Sequence, residues 1–63
     1  MYKCIDILRD EKGVILTYTL QDETGATQMF EKSMLKAMLR QRAISVSNLT
    51  LTTDNRLVLK RKN

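Results

Sequence analysis

Two nearly identical tetrapeptides, Asp10-Glu11-Lys12-Gly13 and Asp22-Glu23-Thr24-Gly25, stand twelve residues apart, and they constrain the fold more than any other feature. Each suits a type I turn closed by a residue in the left-handed region. Aspartate comes first, where its carboxylate can accept from backbone amides, and glycine last, where positive φ costs least. Thr52-Thr53-Asp54-Asn55 repeats the pattern with asparagine, the next most tolerant residue, at the left-handed position. All three therefore predict hairpins with a bulge, and positive φ at Gly13, Gly25 and Asn55.

Each turn imposes a register that the flanking residues can support or oppose. With 11–13 as loop, Leu8 faces Leu16, Asp6 faces Tyr18 and Cys4 faces Leu20. With 23–25 as loop, Tyr18 faces Phe30 and Leu20 faces Gln28; with 53–55 as loop, Leu51 faces Leu57 and Leu49 faces Leu59. Apolar residues meet apolar residues more often than a register slipped by one would allow. The expected strands are 2–9, 14–21 and 26–30, followed after a helix by a hairpin of 44–52 and 56–61.

The helix is read from residues 31–42. Leu35, Met38, Leu39 and Arg42 share a face with Met34 and Ala37 beside them, while Lys32, Lys36 and Arg40 lie opposite at i, i+4 spacing. Glu31 or Ser33 can cap it, and Arg40 and Arg42 suit the negative end of the helix dipole. About three turns are too few to stand alone in water, so the helix must pack on the sheet. Ile44 and Val46 share one parity and Leu49 and Leu51 the other, which places a bulge or sharp bend near Ser47-Asn48.

The meander is apolar on both faces in this register. One face carries Cys4, Leu8, Val14, Leu16, Tyr18, Leu20 and Phe30; the other carries Ile5, Ile7, Ile15 and Met29, diluted by Thr17 and Thr19. One short helix cannot cover both. Either the sheet curls into a small barrel closed by the last hairpin, or a partner buries Ile5, Ile7, Ile15 and Met29. The expected fold is α+β: a small curled antiparallel sheet in the order β-β-β-α-β-β, one domain over residues 1–63, dimeric because so short a chain gains from extra burial.

The catalytic inventory is sparse. There is one cysteine, Cys4, and there are no histidines. That excludes an internal disulfide, a Cys/His zinc site and any Cys-His or Ser-His pair, and it favours a reducing cytoplasm. Cys4 itself reads as a buried strand residue rather than a reactive thiol. Gly13 and Gly25 are the only glycines, so no glycine-rich phosphate loop is present. Apolar runs are far shorter than the roughly 20 residues of a membrane span, and the N-terminus has no signal-peptide pattern. Asp6 opposite Tyr18 would be the one polar pair on the richer apolar face, better read as structural than as an acid–base pair. No enzyme, cofactor, metal or small-molecule substrate is expected.

Charge is distributed unevenly. Residues 1–31 hold three basic and six acidic groups, whereas 32–63 hold eight basic groups against Asp54 alone, and the isoelectric point is near 9.6. Phosphate contact needs clustered positive charge, so Lys32, Lys36, Arg40, Arg42, Arg56, Lys60, Arg61 and Lys62 are candidate nucleic-acid contacts. Tyr2, Tyr18 and Phe30 all fall in the acidic half, so the stacking aromatics of single-strand binders are not interleaved with these cations. A solvated basic face is an equally good explanation.

The run Tyr18-Thr19-Leu20-Gln21-Asp22-Glu23-Thr24-Gly25-Ala26-Thr27, with Leu35-Lys36 and Asn48-Leu49-Thr50-Leu51-Thr52, resembles short uncharacterised proteins of Gram-positive bacteria and their phages or mobile elements. The resemblance spans most of the chain and implies a shared fold and a bacterial or phage cytoplasmic setting. It carries no site and no activity. The functional expectation is a small non-catalytic interaction module that homodimerises or binds a protein, through its sheet edge or second apolar face. The alternative is weak, sequence-independent nucleic-acid binding by the basic half.

Overall fold

The computed structural model describes residues 1–60. Its elements are β1 (Lys3–Arg9), β2 (Ile15–Gln21), β3 (Thr27–Glu31), α1 (Lys32–Arg40), β4 (Leu49–Leu51) and β5 (Leu57–Leu59). The first three strands form an antiparallel sheet in the order β1-β2-β3, and β4 and β5 form a separate hairpin. The α+β class and the β-β-β-α-β-β order are those expected from the turns. Barrel closure is not: the two sheets remain separate. No helix among the described residues is long and apolar enough to cross a membrane.

The three turns share one construction. Gly13 N–H donates to the Asp10 carbonyl (3.0 Å), Gly25 N–H to that of Asp22 (3.1 Å) and Asn55 N–H to that of Thr52 (3.0 Å). Asp10 Oδ1 accepts from the amides of Lys12 and Val14, and Asp22 Oδ1 from those of Thr24 and Ala26. In the third turn the Thr52 hydroxyl takes the carboxylate's place and accepts from Arg56 N–H at 3.1 Å. The closing residues have φ of +83°, +92° and +66° at Gly13, Gly25 and Asn55. A short side-chain acceptor and a residue tolerant of positive φ suffice to bend the chain back in each case.

The register of β1 on β2 corrects the one inferred from the first turn. Cys4 faces Leu20 as expected, but Asp6 faces Thr19, Ile7 faces Tyr18 and Leu8 faces Thr17, before Arg9 faces Ile15. Two compensating bulges, with Ile5 as the extra residue on β1 and Leu16 on β2, shift the middle of the pair by one. The reason is Asp6. A regular ladder would set its carboxylate opposite Tyr18, which is 2% exposed, and an uncompensated buried charge costs several kcal/mol. The bulge turns Asp6 outward, where Oδ1 accepts from Ile7 N–H, and turns Ile7 inward. The other two registers stand as read: Tyr18 faces Phe30, Leu20 faces Gln28, Leu49 faces Leu59 and Leu51 faces Leu57.

Helix α1 ends earlier than its apolar spacing suggests. Arg42 does not continue the helical face; it has φ +57°. Its N–H donates to the Leu39 carbonyl and that of Ala43 to the Met38 carbonyl at 2.8 Å, the paired bonds of a Schellman motif with arginine where glycine is usual. The chain then runs through Ile44 and Val46 as a connector rather than a strand. Both side chains enter the core with Cys4, Tyr18, Leu20, Phe30, Leu35 and Leu49.

That connector ties the two sheets together along the free edge of β1. Tyr2 N–H donates to the Ser45 carbonyl at 2.9 Å and Ser47 N–H to the Tyr2 carbonyl at 2.8 Å. Beyond it the side chain of Asn48 acts as a short strand. Its Oδ1 accepts from Cys4 N–H at 2.7 Å, and its Nδ2 donates to the Cys4 carbonyl at 2.9 Å. The bend expected near Ser47-Asn48 is present, and it delivers this amide.

Candidate functional site

Two surfaces remain once the core is assigned. The first is the outer face of the three-stranded sheet. Alternation from the inward residues Tyr18, Leu20 and Phe30 turns Thr17, Thr19 and Met29 outward, and the bulges add Ile5, Leu8 and Leu16. Ile5 is 47% exposed, Leu8 50%, Leu16 45% and Met29 59%. Of the four residues named from sequence for this face, Ile5 and Met29 are exposed on it. Ile7 and Ile15 pack against the core instead, because the shifted register swaps their side of the sheet. Leu8 and Leu16 take their places, and only the bulges, invisible to a strict alternation, reveal this.

The second surface is basic. Lys32 and Lys36 on α1, Arg56 after the third turn and Arg9 at the end of β1 line one open groove of about 330 Å³. Gly13, Val14, Ile15, Tyr18 and Leu57 complete it, and no carboxylate among the described residues lines it. Lys32 and Lys36 are one helical turn apart and half-buried. The Arg9 guanidinium is held by a hydrogen bond to the Gly13 carbonyl at 3.2 Å. Among the described residues the one ion pair joins the N-terminal amine to Glu23, so these four cations have no acidic partner.

The other basic candidates among the described residues do not join them. Arg40 donates to Oδ1 of Asn55 and so ties the helix end to the third turn. Arg42 terminates the helix, as described above, and Lys60 lies beyond the groove lining. Arg61 and Lys62 lie outside the described residues. Arg9 was missed from the sequence because it belongs to the acidic half. Only the fold of the first hairpin over the helix brings it beside Lys32 and Lys36.

Cys4 and Tyr18 are inward and neutral. Burial pushes the Cys4 thiol above its ordinary value, with the Asp6 charge a lesser contribution in the same direction. Its Sγ donates a weak hydrogen bond to the Asp6 carbonyl oxygen at 3.6 Å. Burial likewise raises Tyr18, against a smaller opposing effect of the Arg9 charge. Asp6 faces away from Tyr18, so the acid–base pair considered from sequence does not assemble.

Comparison with protein-family models, with curated proteins and with solved structures gives no match to this chain.

Proposed function

We propose that the protein is a small non-catalytic interaction module of the cytoplasm that homodimerises through the outer face of its three-stranded sheet. The observation that supports this is the set Ile5, Leu8, Leu16 and Met29, four large apolar side chains near half exposure on one sheet face of a single small domain. Scattered apolar residues are ordinary on surfaces, but four large ones facing one way, interleaved with Asp6, Thr17 and Thr19, favour an interaction surface. Four side chains from each copy, each burying about half its area, contribute roughly 8 kcal/mol in total. Association costs of about 4–15 kcal/mol offset at least half of this, so these side chains support a dimer no tighter than about millimolar. Replacing both Leu8 and Leu16 by lysine tests the proposal. Light scattering at equal, millimolar concentration should report a lower mass for the variant than for the wild type, with an unchanged circular dichroism spectrum. Equal masses would refute the role of this face.

A second reading, weak binding to nucleic acid without sequence preference, is favoured by one observation. Lys32, Lys36 and Arg56, named from charge alone, converge on a groove free of carboxylates among the described residues. Affinity of this kind should fall steeply between about 50 and 200 mM salt as counterions are released.

A further inference from the structure

We infer that the groove between the first hairpin, α1 and the third turn is a defined site for clustered phosphate groups, held by Arg9, Lys32, Lys36 and Arg56. It rests on the second reading above but is narrower, because it assigns the attraction to four particular side chains rather than to basic charge in general. Three features carry it. The four cations come from three separate parts of the chain and meet around one cavity of about 330 Å³. Their like charges repel, and among the described residues no carboxylate lines the cavity to relieve them. Lys32 also sits in the first turn of α1, where the helix dipole is already positive and the one nearby acidic residue, the N-cap Glu31, makes no side-chain capping bond and does not line the groove. An anion in the groove relieves all of these repulsions together.

The chemistry of the lining indicates which anion. Arginine offers a planar fork of donors and lysine a point charge, the pair of groups that suits phosphate oxygens. The side chains of Val14, Ile15 and Leu57 supply no donors, the Tyr18 hydroxyl is a single neutral donor beside four cations, and no exposed aromatic lines the groove for stacking. The ligand is therefore recognised by its phosphates. They could belong to the backbone of a single nucleic-acid strand or to a free oligophosphate.

The test uses the full chain and two probes at 50 mM salt: a fluorescein-labelled mixed-sequence DNA 12-mer followed by anisotropy, and pyrophosphate followed by calorimetry at matched ionic strength. Arg9→Gln and Lys36→Gln remove a charge inside the groove; Lys3→Gln and Lys60→Gln remove one outside it. A defined site predicts at least a fivefold loss of affinity for the two groove variants and less than twofold for the other two. That pattern with the 12-mer supports the site with a strand backbone as ligand. The same pattern with pyrophosphate alone supports the site while refuting nucleic-acid binding. Equal losses in all four variants would overturn the site and leave diffuse attraction to nucleic acid. Binding of neither probe would overturn both.

Discussion

Replacing Asn48 by alanine should cost this protein a large part of its stability, although the residue is half-buried and lies outside the regular elements. Its amide makes two hydrogen bonds to one peptide of β1, at 2.7 Å to Cys4 N–H and 2.9 Å from Nδ2 to the Cys4 carbonyl. Alanine removes both and leaves two partly buried backbone groups without partners. Each such loss costs about 1–3 kcal/mol. Water can reach part of the site, so the lower end applies to each, or about 2–3 kcal/mol together. A domain of this size has a total stability of roughly 3–9 kcal/mol. The loss corresponds to a fall in Tm of about 10–20 °C, since 1 kcal/mol moves a small domain by about 4–8 °C. Thermal melts by circular dichroism at one fixed protein concentration measure this directly. A second variant separates the hydrogen bonds from mere packing. Asn48→Asp keeps the acceptor for Cys4 N–H but sets a carboxylate against the Cys4 carbonyl. Its carboxyl pKa is then raised by folding, so relative to wild type the variant is best at low pH and loses stability as pH rises through that value. A Tm for Asn48→Ala within about 3 °C of wild type would refute the role given to the amide.

Four further outcomes follow from particular residues. Arg42→Gly should raise stability by about 0.5–1 kcal/mol in urea titration, because glycine relieves the left-handed strain at φ +57° at some cost in unfolded-chain entropy. Thr17→Val should also stabilise, by roughly 1 kcal/mol, since Thr17 Oγ1 is enclosed without a hydrogen-bond partner and valine keeps its shape. Gly13→Val should destabilise by about 1 kcal/mol or more from backbone strain alone, because a Cβ at Gly13 meets nothing within 4 Å while φ is +83°. Stability should decline at alkaline pH. Burial raises Cys4 above 9.0 and Tyr18 above 10.0, so their contribution is full below those values and is lost as pH rises through the folded-state pKa of each; a flat urea midpoint from pH 8 to 11 would oppose this.

What was legible in the sequence was local. The three turns follow from Asp10, Asp22 and Thr52 with Gly13, Gly25 and Asn55, each acting on amides within four residues, so the element order could be read directly. The bulges at Ile5 and Leu16 were not legible, because they arise from competition between the turn's register and the exclusion of Asp6 from the side of the sheet that Tyr18 occupies. That single shift redistributed the apolar face, removing Ile7 and Ile15 and adding Leu8 and Leu16. Asn48 was marked as a bend but not as a clamp, since its partner lies 44 residues away in the chain. Arg42 resembled one more helical position because arginine gives no sign of the left-handed conformation that glycine would announce. The basic groove was three-quarters legible, and Arg9 escaped because charge was summed along the chain rather than across the fold.

The dimer through the outer sheet face is tested most directly by sedimentation equilibrium of the wild-type chain from about 0.05 to 5 mM at moderate salt. The weight-average mass should start near the monomer's 7.3 kDa and rise clearly above it at the top of this range, with a dissociation constant in the millimolar range. A mass fixed at the monomer value up to the highest concentration would contradict self-association through Ile5, Leu8, Leu16 and Met29.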